Sequence, residues 1–465
     1  MRKTVVIDVV GLTSELIGEN TPFLKNWVNN KKITPVEPVL PAVTCAAQMT
    51  YATGKWPSDH GIVGNGWYFK DLNEIKFWHQ SYNLVQSETL WEWAKYQNSD
   101  FTCSYMFWWY NMYSKTDFAV TPRPQYLADG RKAPDCYSYP GDLRDKLQAE
   151  LGTFPLFDFW GPRTSIKSSK WIADASVLVD KWHDPTLTFI YLPHLDYNIQ
   201  RFGNDFSKIS IDLQEIDGVL KDLLTYYEST QAEIILLSEY GITNVNNPVH
   251  LNRVLREKGY IAIREERSLE LLDAGASKAF AVADHQLAHV YVNAKSEITK
   301  IKQLLESVPG VERVLDGEGK KQYRIDHERA GDLIAVADKN SWFTYYYWLD
   351  DKKAPDFARI VEIHKKPGYD PVEMFADPKI KFLMPKVAFK LLKKKLGFRM
   401  LMDIIPLDAT LIKGSHGRIP ESKKDWPVFI SKNGALGKQQ IQAVEVYELI
   451  KESLLRDKGE VRSEK

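Results

Sequence analysis

The chain has 465 residues, enough for a large core and one or two domains, and 61 Lys and Arg balance 61 Asp and Glu, so no net field draws it to a nucleic-acid polymer. Its 44% hydrophobic and 26% charged residues are those of a globular protein, which excludes disordered and fibrous classes, and no stretch reaches the length of a membrane span. Three cysteines, Cys45, Cys103 and Cys136, leave at least one unpaired and lack zinc-ribbon spacing, so buried thiols in a reducing, cytoplasmic setting are expected.

Residues 4–11 (TVVIDVVG) form a short apolar, β-branched run closed by Gly, the pattern of a strand buried on both faces. The run is short and holds Asp8, so it reads as a strand and not as a signal peptide. Asp8 lies near the carboxyl end of that strand, where α/β sheets bind ligands, and a buried charge there needs a partner or a metal. Thr44 precedes the small, helix-compatible run 45–49 (CAAQM). Its hydroxyl is placed as an ordinary N-cap, and the same position suits an oxyanion. A glycine-punctuated turn follows at 60–65 (HGIVGN).

Residues 88–96 read as a helix. Residues 101–113 (FTCSYMFWWYNMY) begin as a strand and end in aromatics, of which Trp108 and Trp109 are candidates to wall a substrate cleft. The Pro-, Asp- and Tyr-rich residues 114–140 read as a long loop over the site. Residues 188–193 and 233–241, the latter with polar residues at its end, are further apolar strands, separated by an amphipathic helix over 209–227. Apolar strands alternating with helices predict an α/β fold with a mostly parallel central sheet flanked by helices. From residue 286 to 345 the texture changes to β-α-β-β, a small α+β lobe inserted within one domain spanning 1–465; its helix over 297–308 takes Ser296 as N-cap. Residues 379–400 (KIKFLMPKVAFKLLKKKLGFRM) are basic and apolar together. They read as a helix with Leu391, Leu392 and Leu396 facing the core and lysines in solvent, with weak contact to an anionic membrane surface as the sharper reading. His416 stands in a glycine turn at 414–417, and the last ten residues are a charged tail.

The stretch 53–65, TGKWPSDHGIVGN, resembles the nucleotide pyrophosphatase/phosphodiesterase branch of the alkaline phosphatase superfamily, which carries T-G-x-x-P-x-x-H-G-I-x-G-N after a nucleophilic Thr. The resemblance implies Thr44 as nucleophile and Asn65 as a donor to a phosphoryl oxygen. It implies two divalent metals, zinc in relatives. One is bound by the first Asp, the Thr and an Asp-His pair, here Asp8, Thr44, Glu239 and Tyr240. The other is bound by an Asp, a His four residues on and a late His, here Asp196, Gln200 and His416. Gln200, Glu239 and Tyr240 depart from the family pattern and turn the donors toward oxygen, which suits Mg, Mn or Fe. His194, two residues before Asp196, is a weak candidate for the missing imidazole. The implied activity is hydrolysis of a phosphodiester or phosphoanhydride of a small nucleotide-like or lipid-like substrate through a phosphothreonine. The alternative is a degenerate member that binds a phosphorylated ligand without turnover.

Overall fold

The computed structural model describes residues 1–128 and 131–456, so the charged tail lies almost wholly outside the described residues. Its centre is a nine-stranded sheet built from β1 (Thr4–Val9), β2 (Lys32–Glu37), β3 (Cys103–Met106), β4 (Phe118–Pro122), β5 (Cys136–Tyr139), β6 (Leu187–Leu192), β7 (Glu233–Leu237), β8 (Val428–Ser431) and β9 (Ile441–Gln442). The strand order is β9-β2-β8-β7-β1-β6-β3-β4-β5. The run β7-β1-β6-β3-β4 is parallel throughout, and β8 and β5 join it antiparallel. β1, β6 and β7 are buried along their whole length, as the Val, Ile, Leu and Phe that dominate each run require, and Asp8 is buried with β1. Helices Ile166–His183 and Phe206–Ser229 pack on one another and reach β6 and β7, while helix Thr44–Thr53 packs with Glu445–Leu455.

The segment 114–140 is not the long loop its composition suggests. It contributes β4 and β5 to the central sheet, with a small hairpin, Gln125–Tyr126 against Lys132–Ala133, between them. Pro122 closes β4 and β5 is an edge strand, the places where a sheet tolerates Pro and polar residues.

A second, four-stranded antiparallel sheet runs Ala279–Asp284, Leu287–Val292, Leu333–Ala337, Val311–Leu315 in spatial order, with helix Ile298–Glu306 against it. That helix follows a 3-10 turn, Lys295–Glu297, and Ser296 does not cap it. The hairpin tip between the first two strands, His285 and Gln286, reaches the main body: Gln286 N–H donates to the His416 carbonyl at 2.8 Å.

The basic segment forms helix Leu383–Lys395, and none of its residues is buried. Leu391, Leu392 and Leu396 do not face the core; all three are exposed. The sequence supplies the amphipathic pattern, but among the described residues no surface buries its apolar side.

Candidate active site

Thr44 opens its helix without capping it. Val43, in extended conformation, is the N-cap residue, and no side chain of its own caps that end. The cap comes from twenty residues away: Asn65 Oδ1 accepts the Cys45 N–H at 3.0 Å. Asn65 is itself fixed by Asp284, which accepts its backbone N–H at 2.8 Å and its side-chain amide at 3.1 Å. A Cβ at Gly64 would sit 3.0 Å from Asp284 Oδ2, so glycine keeps room for that carboxylate. Gly61 adopts φ +75°, which glycine takes without penalty. His60 braces the same turn, accepting the Ile62 N–H at 3.1 Å and pairing with Thr50 Oγ1 at 3.1 Å; burial pushes its pKa down to about 3.

Freed from capping, the Thr44 hydroxyl lies 3.2 Å from the Tyr240 hydroxyl, which donates to Asp196 Oδ1 at 3.2 Å. Thr44, Tyr240 and Asp196 thus form one hydrogen-bonded chain. Asp8, at the end of β1, and Glu239, just past β7, are wholly buried. Gln48, one helical turn after Thr44, stands between them: its amide nitrogen donates to Glu239 Oε1 at 2.6 Å and to Asp8 Oδ2 at 3.4 Å. Its amide oxygen accepts the Trp109 N–H at 2.8 Å, which fixes that orientation. Asp8 Oδ1 and Glu239 Oε2 have no hydrogen-bond partner.

Asp196 opens the helix His194–Phe202 that follows β6. Gln200, one turn on, donates its amide nitrogen to Asp196 Oδ2 at 2.8 Å, while its oxygen accepts the Tyr369 hydroxyl at 3.2 Å. His416 Nδ1 is 2.7 Å from the Ala42 carbonyl and therefore carries the proton, leaving Nε2 as an unpartnered lone pair 3.8 Å from Asp196 Oδ1. The His416 ring is sandwiched in a column of four. Tyr240 stacks on it at 3.6 Å, His285 lies on it at 3.7 Å, and Tyr369 stacks on His285 at 3.7 Å.

Burial dominates the electrostatics. It raises Asp196 to about 7, with the Glu239 charge adding to it, and Glu239 to about 6. Asp8 is pushed well up by burial and then by Glu239. Burial lowers His416 to about 3 and drives His285 well below the usual imidazole range, so both rings are neutral. Three buried carboxyls gathered at the start of one helix demand either protons or a cation.

A cavity of about 1430 Å³ opens over Thr44, Asp196 and Tyr240, with His285 and Tyr369 on its wall. Trp109 lines it, its ring 4.7 Å from Trp78, another lining residue. Trp108 does not: it is fully buried against Phe189 at 4.8 Å and is a core residue, because the chain turns between the two indoles. His194 does not replace the missing imidazole. Helix geometry turns it away from Asp196 toward Asp212 and Glu215, 3.5 and 3.2 Å off. Gln48, Asp284, His285, Tyr369 and Trp78 were not singled out in the sequence. The adjacent Asp284-His285 pair and the Gln one turn after Thr44 were the available signals.

The donor chemistry fits a metal unevenly. Asp8 Oδ1 and Glu239 Oε2 are bare buried carboxylate oxygens. An all-oxygen set of this kind suits a hard divalent cation. At the second position Asp196 and His416 present donors, but Gln200 turns a nitrogen donor, not its oxygen, toward Asp196. Gln200 therefore offers no ligand atom there, and the Tyr240 phenol, raised far above its ordinary pKa by burial, is a hydrogen-bond donor.

A doubly wound sheet with an acidic, helix-opened site at its strand ends defines an alkaline phosphatase-like α/β fold. Comparison with known proteins agrees. The profile described as Type I phosphodiesterase / nucleotide pyrophosphatase matches residues 4–370, and the chain belongs to that family of the alkaline phosphatase superfamily, named for hydrolases of phosphoester and phosphoanhydride bonds. An uncharacterized pyrophosphatase/phosphodiesterase of Schizosaccharomyces pombe is 24% identical over 262 residues, 54% of this chain and 46% of that protein; the match spans less than half of the relative. Among solved structures, an inactive form of murine ectonucleotide pyrophosphatase/phosphodiesterase 5 in complex with AMP superposes with TM-score 0.59 at 13% identity, covering 98% of this chain and 95% of the other. Phosphonoacetate hydrolase from Sinorhizobium meliloti, in complex with phosphonoformate, gives 0.61 at 13% identity, covering 97% and 96%. These likenesses show the fold.

Proposed function

We propose that this chain hydrolyses a phosphodiester or phosphoanhydride of a small substrate by transferring the phosphoryl group to Thr44. The observation that carries the reading is the chain Thr44–Tyr240–Asp196 at the floor of the cavity. Attack of Thr44 Oγ1 on phosphorus releases the hydroxyl proton to Tyr240, which passes its own to Asp196. A carboxylate with a pKa of about 7 is poised for that exchange near neutral pH. The proton then goes to the departing oxygen. In the second half water attacks the phosphothreonine, Asp196 takes up the water proton, and a proton returns through Tyr240 to the departing Thr44 oxygen, restoring its hydroxyl.

Asn65 keeps one amide hydrogen beyond its bond to Asp284, available to a phosphoryl oxygen, and the helix start adds positive potential. Asp8, Glu239 and Thr44 would hold a divalent cation of the Mg, Mn or Fe kind, with Asp196 and His416 at a second place. When bound, such ions lower the hydroxyl pKa and neutralise phosphoryl charge. Diesters and anhydrides are preferred over monoesters because Asn65 is the diesterase-like element of the family motif. Three buried free thiols support a reducing compartment, and we place the protein in the cytoplasm. Among the described residues no helix is long and apolar enough to cross a membrane.

The second reading, ligand binding without turnover, draws support from Gln48 and Gln200, whose amides already hydrogen-bond the carboxylates that the family resemblance assigns to metal. Elemental analysis, with hydrolysis of a nitrophenyl phosphodiester and a dinucleoside polyphosphate after chelation and re-addition of single metals, decides between them. Turnover restored by Mg, Mn or Fe supports the enzyme. Tight binding of the same compounds with no turnover under any metal supports the binding protein.

A further inference from the structure

Helix Leu383–Lys395 buries none of its residues, and its flanks continue the exposure. Phe382 and Met384 are each 73% exposed, Leu396 64% and Phe398 65%. Phe389, Leu391 and Leu392 on the helix itself are also exposed. Folding gains nothing from leaving this much aliphatic and aromatic surface in water, and contiguous patches of this kind mark an interaction site.

The charge pattern says what covers it. Between residues 379 and 401 there are seven lysines and one arginine and no carboxylate. Lys386 and Lys390 lean back on Asp403 at 3.4 and 2.5 Å, while Lys393 and Lys395 stay exposed. Apolar residues interleaved with lysines match an anionic bilayer, whose headgroups take the ammonium groups and whose acyl boundary takes Phe and Leu. The same segment is a wall of the active-site cavity: Leu391, Lys394, Lys395, Phe398 and Leu401 line it. The exposed helix and the cleft that ends at Thr44 therefore share one wall.

We propose that residues 379–401 dock the protein on an anionic lipid surface and that the cavity draws from it an amphiphilic phosphoester, its phosphate at Thr44 and its tail along the helix. Docking stands on the exposed helix alone; the choice of substrate rests on the proposed function.

The test is co-sedimentation of the full chain with vesicles of phosphatidylcholine alone or with equal parts of phosphatidylglycerol. Binding to the anionic vesicles only, weakened by salt, is the expected result. The triple variant Lys379→Glu/Lys381→Glu/Lys393→Glu, at exposed lysines outside the cavity wall, and the double variant Phe389→Ser/Leu392→Ser each lower it by at least about tenfold with unchanged melting temperature, since these side chains are not buried. Thr44→Ala binds as the wild type does, so a failure of catalysis leaves docking readable. The lysine variant also loses hydrolysis of an acyl-chain phosphodiester presented in anionic vesicles but keeps hydrolysis of a soluble nitrophenyl diester. Absence of wild-type binding, equal binding by both variants, or a concentration-dependent dimer dispersed by the same substitutions overturns the proposal.

Discussion

The Gln48 amide nitrogen lies 2.6 Å from Glu239 Oε1 and 3.4 Å from Asp8 Oδ2, so a neutral side chain takes two of the four oxygens of two buried carboxyls and leaves Asp8 Oδ1 and Glu239 Oε2 bare. The helix of the nucleophile thus carries its own stabiliser of the acidic pair, one turn below Thr44. Replacing Gln48 by Leu removes that donor and leaves the pair repelling in an apolar setting. A cost of about 1–3 kcal/mol is expected in chelator, most of it recovered in millimolar Mg or Mn. Melting temperatures of wild type and Gln48→Leu with and without metal provide the check; an equal loss in both conditions contradicts a cation between Asp8 and Glu239.

Thr44→Ala abolishes turnover and leaves the fold. The hydroxyl caps nothing, because Asn65 performs that duty, so only its bond to Tyr240 is lost, about 0.5–1.5 kcal/mol. The readouts are hydrolysis of an activated phosphodiester and thermal unfolding. Retained hydrolysis removes Thr44 from the role of nucleophile.

Tyr240→Phe keeps the ring on His416 and deletes the hydroxyl between Thr44 and Asp196. Loss of a proton-transfer partner is worth roughly 10²–10⁴ in rate. kcat should fall in that range with KM little changed and the melting temperature close to wild type. A fall in KM-dependent binding alone would assign the hydroxyl to substrate contact instead.

Asp284 gives a pH test remote from the carboxylates that face Thr44. Burial raises it to about 7, against about 3.9 for an unfolded aspartate. Between those values the folded state holds the proton and the unfolded state has released it. Folded protein therefore binds more protons, and this group's contribution to stability falls as pH rises from about 4 to about 7, by about 4 kcal/mol in full. The stability of wild type relative to Asp284→Asn should decline across that window and level off above it. A flat difference shows that Asp284 is ionised throughout.

Much of this was legible in the chain. The buried runs of β1, β6 and β7 announced a parallel sheet because Val, Ile, Leu and Phe dominate them despite Asp8 and Glu233, and the 53–65 motif announced the family. β4 and β5 were hidden because an edge of a sheet accepts Pro, Asp and Tyr, which locally read as loop. Thr44 looked like a cap because a hydroxyl before a helix usually is one; the true cap, Asn65, acts through space and leaves no local trace. Trp108 and Trp109 are neighbours in sequence with opposite fates, since alternate side chains diverge where a strand ends. The leucines of 391–396 carry a core-facing period, yet the period only demands an apolar partner and does not say that the partner belongs to the same chain.

The column Tyr369–His285–His416–Tyr240 makes the small lobe a structural partner of the cavity floor. The Tyr240 phenol is gripped face to face by His416, and that ring is held from behind by a histidine delivered from the hairpin of the small lobe. Replacing Tyr240 by His would loosen the stack and break the link from Thr44 to Asp196 in one step, while Gln200 would still occupy Asp196 with its amide. A change at position 240 is thus not a local one: the site is an interlocked unit whose parts move together.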